Sequence, residues 1–184
     1  GFFAGTVGTV NFANWTVYGT FHNNDFRSVD YTNAYGALSR VEHRIWRRYV
    51  IVPEEAREKI YKVSAAAREI QPYLEGKIGK KWANISCENQ PVLGCENITA
   101  GWFMWALRDA VAKAGHYRTA PAAKAYYDRL ASEINAACDN RELHCGPQLS
   151  TLMPPFRLHY IADAIAASWR ILDLNIRRVN GGHI

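Results

Sequence analysis

Apolar residues change their period about 28 positions into the chain. From there they recur at spacings of three and four, the repeat of one helix face, and five amphipathic helices follow from the pattern. The first carries Ala34, Leu38, Val41, Ile45 and then Arg48 or Tyr49, with Ser28 or Asp30 placed to cap its start. The second opens at Pro53, sets Glu54 and Glu55 at the positive end of its dipole, buries Ile60, Val63, Ala67, Ile70 and Leu74, and stops at Gly76. A third is expected from about Thr99 to Ala114, closed by Gly115. The fourth is capped by Thr119, has Pro121 in its first turn, and turns Ala123, Tyr127, Leu130, Ile134 and Ala137 inward. Leu158, Ile161, Ile165, Trp169, Leu172 and Ile176 mark the last helix, and 179–184 read as a frayed tail. The expected fold is mainly α, a bundle or irregular array of about five amphipathic helices.

Two stretches fall outside the pattern. In residues 1–27, Val7, Thr9, Trp15, Val17, Tyr18, Phe21 and Phe26 alternate with Gly5, Gly8 and Gly19, which predicts a short extended N-terminal or membrane-proximal segment ahead of a helical domain over 28–184. Positions 1–24 lack Asp, Glu, Lys and Arg, yet Thr and Asn interrupt them too often for a bilayer span. Gly1-Phe2-Phe3 has neither the basic start nor the sustained apolar centre of a signal peptide. The expectation is a chain that follows a removed signal or belongs to a longer protein. The stretch from about 77 to 97 reads as a loop.

Four cysteines alter the picture most. Cys87 and Cys95 flank a polar loop with Pro91 and Gly94; Cys138 and Cys145 flank another, with Asp139, Asn140 and Gly146 at its bends. Turn-forming residues let each pair close locally, although three pairings are possible in principle. Two local disulfides imply an oxidising, extracytoplasmic compartment, either the periplasm or the cell surface. The competing readings are free thiols, or a metal site helped by His144, but zinc sites bring closer ligand pairs than these. Asn14, Asn84 and Asn97 each begin an Asn-x-Ser/Thr triplet, which fits exposed loops of a secreted protein.

Hydrophobic residues at 48% and charged residues at 21% fit one globular core and exclude a disordered chain. The net charge of +5 raises nucleic acid or an anionic surface as partners. However, Lys and Arg alternate with Glu, and only Arg44, Arg47 and Arg48 cluster, so no nucleic-acid partner is expected. Six tryptophans serve equally as core filling or as flat contact surfaces. The run Trp102-Phe103-Met104-Trp105-Ala106-Leu107 is apolar nearly all round its helix, so the helix is central or its surplus face meets a partner. Trp82, Trp102, Trp105 and Arg108 are the candidate binding residues.

Catalytic motifs are missing: the sequence has no nucleophile elbow, phosphate-cradling glycine loop or dinucleotide fingerprint. His159 and Asp163 share a helix face without a second ligand pair, and no metal or cofactor is expected. Glu42 and His43, beside Trp46 and the arginines, form either a carboxylate or phosphate contact or a wet helix face. Glu88, Glu96, Asp109 and His116 are the groups an enzyme acting on a glycan or lipid-linked substrate would use, provided the fold gathers them in one cleft.

Along Tyr35-Gly36-Ala37-Leu38-Ser39-Arg40-Val41, Tyr73-Leu74-Glu75-Gly76 and Gly101-Trp102-Phe103-Met104-Trp105-Ala106-Leu107-Arg108-Asp109-Ala110, the chain resembles soluble extracytoplasmic domains of uncharacterised bacterial multi-pass membrane proteins. The resemblance spans about residues 30 to 170. It implies a protein that continues into membrane helices outside this chain, and it transfers no catalytic residue. Two functions compete: a non-catalytic domain that binds an envelope protein or glycan, and a secreted or periplasmic enzyme on a glycan or lipid-linked substrate.

Overall fold

The structure, a computed structural model, describes residues 2–18, 24–44, 49–89, 95–99, 101–148, 150, 152, 158 and 160–180. Among them are eight α-helices: α1 (Phe2–Tyr18), α2 (Val29–Ser39), α3 (Glu54–Val63), α4 (Ala65–Leu74), α5 (Lys77–Asn89), α6 (Trp102–Lys113), α7 (Ala120–Asp139) and α8 (Tyr160–Asn180). The described residues form no strand, and their one β-type pairing is the isolated bridge between Val41 and Cys145. Residues Gly1–Pro154 make one compact unit and Pro155–Ile184 a second.

Within the first unit the core lies between α2 and α7, its most extensive helix pair, with α3, α4 and α6 adding to it. Tyr31, Tyr35, Ile60, Phe103, Leu107, Leu130 and Ile134 are wholly buried. At about 1.5–3 kcal/mol for each large apolar side chain removed from water, this cluster is the main source of stability. Most of the tyrosine hydroxyls in and beside the core are bonded: that of Tyr31 donates to the Met104 carbonyl (2.8 Å), that of Tyr126 to the Ala66 carbonyl (2.8 Å), and Tyr117 and Tyr127 share a bond of 3.0 Å, whereas the buried Tyr35 hydroxyl has no partner among the described residues.

Several expected elements are corrected. Residues 2–18 are helical rather than extended; the Thr9 hydroxyl donates to the Gly5 carbonyl and that of Thr16 to the Ala13 carbonyl, so these β-branched residues bond back into the helix. The first predicted helix ends at Ser39, ten positions early. Beyond it, the Arg40 carbonyl accepts from the Gly146 amide (2.8 Å) and the Glu42 amide donates to the His144 carbonyl (2.8 Å). The Arg40 side chain adds bonds to the Gly146 carbonyl and the Asn135 amide oxygen. Backbone groups that a continued helix would need are therefore taken by the second disulfide loop, and Tyr49 sits at φ +64, outside any helix. Ile45, Trp46, Arg47 and Arg48 lie outside the described residues.

The second predicted helix is two helices. Ser64 is extended and caps α4 by accepting from the Ala67 amide; its hydroxyl and the Ala66 amide both donate to Glu133 of α7 (2.7 and 2.9 Å). The stretch read as a loop holds α5. Gly76 ends α4 as expected, but Gly79 fixes how closely α5 approaches: a Cβ there would fall 1.7 Å from the Leu74 carbonyl oxygen. Gly79→Ala is expected to lower the unfolding free energy by about 1–3 kcal/mol through overpacking, measurable by urea titration.

The remaining elements follow the sequence closely. Gly115, at φ +93, ends α6 with its amide on Ala112 and that of His116 on Val111, as a glycine-closed helix does. Thr119 caps α7 through the Ala122 amide. Both local disulfides are formed, Cys87–Cys95 and Cys138–Cys145, with Cα atoms 4.9 and 5.7 Å apart.

The second unit contains α8. Every described residue from Ile161 to Leu174 is exposed, including Ile165, Trp169 and Leu172.

Candidate functional site

α6 divides its apolar residues between two sides. Phe103, Ala106, Leu107, Ala110 and Val111 face the core and are fully buried. Trp102, Trp105 and Asp109 follow at steps of three and four, so they share the other face. α5 packs along that side and brings Trp82 between them. The Trp82 ring stacks on Trp102 (centroids 5.6 Å, planes 29° apart) and on Trp105 (6.2 Å, 20°). Trp82 and Trp102 are half-buried, and Trp105 remains 41% exposed.

The stack is held from below and from the side. The Trp82 indole N–H donates to Asp109 Oδ2 at 2.9 Å, so its one polar atom is satisfied. Phe26, on the 3-10 turn Asp25–Arg27, meets Trp105 edge-on at 4.6 Å and Tyr31 of the core at 5.3 Å. Arg108 donates to Asp25 Oδ2 (3.0 Å) and lies over the Tyr117 ring (4.9 Å). Burial pushes the Tyr117 hydroxyl up to about 12, so it stays neutral beneath the guanidinium. Arg108 is thus a brace between α6 and the turn that carries Phe26. Lys81 places its ammonium 5.0 Å above the Trp82 ring and adds positive charge at the rim.

Trp82, Trp102, Trp105 and Arg108 are therefore brought into one neighbourhood, and the supports at Asp109, Asp25 and Phe26 complete it. The spacing of Asp109 from Trp102 and Trp105 is the local signal that would set it on their face. Asp25 stands 83 residues from Arg108, and nothing local in the sequence joins them.

The other candidate acids and bases are dispersed. His116 bonds Glu69 through Nε2 (2.8 Å) and stacks on Tyr126, while Glu88 is exposed on α5. Glu96 lines a cavity of about 350 Å³ with Glu54, Arg57, Glu75, Lys80 and Asn84, and that cavity contains none of the other three. Inside it, Arg57 and Glu75 form a two-pronged pair (2.6 and 2.8 Å), and the Tyr61 hydroxyl donates to the same carboxylate (2.5 Å). Burial pushes the Glu75 carboxyl upward, but the Arg57 bonds and charge, with Tyr61, outweigh it and hold the group below its ordinary value.

Cys145 is in a disulfide, so its thiolate is not available beside His144. Among the described residues no group of three His, Cys, Asp or Glu could hold a metal ion. His159, Arg47 and Arg48 lie outside the described residues. Arg44 is exposed and paired with Glu55, and Glu42 is exposed where the Lys59 ammonium donates to its carbonyl. The chain matches no protein-family model, no curated protein and no solved structure at a significant level.

Proposed function

We propose that this chain is a non-catalytic, extracytoplasmic domain of a membrane-anchored protein, and that the Trp82–Trp102–Trp105 edge, braced by Arg108, binds an envelope glycan or protein. The observation that carries the reading is a tryptophan stack left partly open to solvent while its geometry is fixed on several sides. Ring faces accept the C–H face of a sugar or the apolar side chains of a partner. Fixed rings lose little freedom on binding, so less of the contact energy is spent in ordering them.

Two disulfides fit an oxidising compartment. Among the described residues no helix is long and apolar enough to cross a membrane, so the anchor in this reading lies outside this chain. The competing enzyme would need its acids together. Here Asp109 holds Trp82, His116 holds Glu69, and Glu96 lines a separate cavity.

The test is tryptophan fluorescence with peptidoglycan fragments and neutral hexose oligomers, alongside crosslinking to envelope proteins. Trp105→Ala is expected to weaken binding roughly thirtyfold, the effect of losing about 2 kcal/mol at a contact centre, with little change in melting temperature. Glycans that leave the wild-type fluorescence unchanged would remove the sugar. Protein crosslinks that survive Trp105→Ala would remove the partner protein.

A further inference from the structure

We propose that α8 is an interfacial membrane helix, lying along the surface of an anionic phospholipid bilayer with Ile161, Ile165, Trp169 and Leu172 sunk between headgroups and acyl chains. This surface is separate from the tryptophan stack, and the inference stands whether or not that stack binds a glycan. Ile161 (46% exposed), Ile165 (53%), Trp169 (67%) and Leu172 (51%) succeed one another at steps of four, four and three, so they form one stripe. They line a shallow apolar cleft with Tyr160, Ala164 and Ser168, all from α8 itself. Leu158, just before the helix, is 80% exposed.

A contiguous exposed apolar stripe requires a cover, and Ile171 (60% exposed) and Leu174 (66%) add apolar surface beside it. A second copy would have to present a complementary apolar surface, and a stable interface removes about 800 Å² per partner from water. A bilayer needs no such complementary area. It asks for an apolar stripe, an aromatic at the boundary and cations on the polar side, and α8 supplies all three. Trp169 and Tyr160 are residues of the headgroup level. Arg170 falls opposite Ile161 in the helical register, and the sequence of α8 has Arg170, Arg177 and Arg178 against Asp163 and Asp173. With a chain charge of +5, the attraction favours anionic lipid. α1 offers a parallel case on the same chain: it bears no charge and exposes Val10, Phe12, Trp15 and Val17.

The experiment is flotation of the whole chain with phosphatidylglycerol/phosphatidylethanolamine vesicles, phosphatidylcholine vesicles serving as the neutral comparison. Ile165→Asp with Leu172→Asp is expected to lower the partition coefficient about a hundredfold, given the apolar area lost from the stripe. Both side chains are exposed, so the circular dichroism and melting of the helical core should stay unchanged. Binding should be tighter to the anionic vesicles and weaken with salt. Three results would overturn the proposal: a wild-type chain that stays with the unbound fraction; vesicle binding that survives the double substitution and disappears with Trp15→Ser, which would move the contact to α1; or a dimer in sedimentation that the double substitution disperses while vesicles leave it intact.

Discussion

Glu75→Gln is expected to reduce the unfolding free energy by about 3–5 kcal/mol and the melting temperature by roughly 10 °C, because it strands a buried guanidinium. Arg57 is 7% exposed; its Nε and Nη2 donate to Glu75, and Nη1 to the Val52 carbonyl. Glutamine keeps the shape but removes the charge that compensates the desolvated cation. The substitution should also change the response to acid. Glu75 has a lowered pKa in the folded chain, so its contribution is complete above the ordinary carboxylate value and is lost as pH falls through the folded value. Urea midpoints measured from pH 7 down to pH 3 should therefore drop more steeply for the wild type than for Glu75→Gln. Parallel curves would mean that the pair contributes no net stability.

Phe103→Ala should be comparably damaging, at about 3–5 kcal/mol, and its contrast with Trp105→Ala is the informative part. The two residues are two positions apart on α6 and point to opposite sides of it. Phe103 is wholly buried and meets the Tyr35 ring edge-on at 5.8 Å, whereas Trp105 is 41% exposed. Thermal melts should show a large loss for Phe103→Ala and a small one for Trp105→Ala. Equal losses would make Trp105 a core residue and remove the reason for treating its face as a contact surface.

The run from Trp102 to Leu107 shows what the sequence carried and what it left open. Apolarity all round the helix leaves two readings open, a central helix or a surplus face that meets a partner, and steps of three and four are the signal that would set Trp102, Trp105 and Asp109 on one side. That Trp82 joins them depends on α5, where Cys87, Pro91, Gly94 and Cys95 signal a loop although Ile78, Trp82 and Ile85 keep a helical period. α7 was legible throughout, since its cap, first-turn proline and apolar stripe all agree. Misreadings arose where distant groups decide. Glu133 stabilises the break at Ser64 from 69 residues away, and Gly146 draws Arg40 out of a helix from 106 residues away. α1 was misread for a local reason, because glycines and β-branched residues suggest extension and the hydroxyl bonds that return them to a helix are invisible in a one-dimensional pattern.

The pairing of α2 with α7 also imposes an order of events on a chain that emerges N-terminus first. Tyr31 and Tyr35 complete their burial against Phe103 of α6 and Tyr127 of α7, so the central packing must wait until those helices have appeared. The two disulfides have no such dependence. Each joins cysteines seven or eight positions apart and can close as soon as its own loop reaches an oxidant. Covalent closure can therefore run ahead of the core, leaving a waiting intermediate, already cross-linked, that exposes the aromatic face of α2 and is most open to aggregation or to chaperone capture.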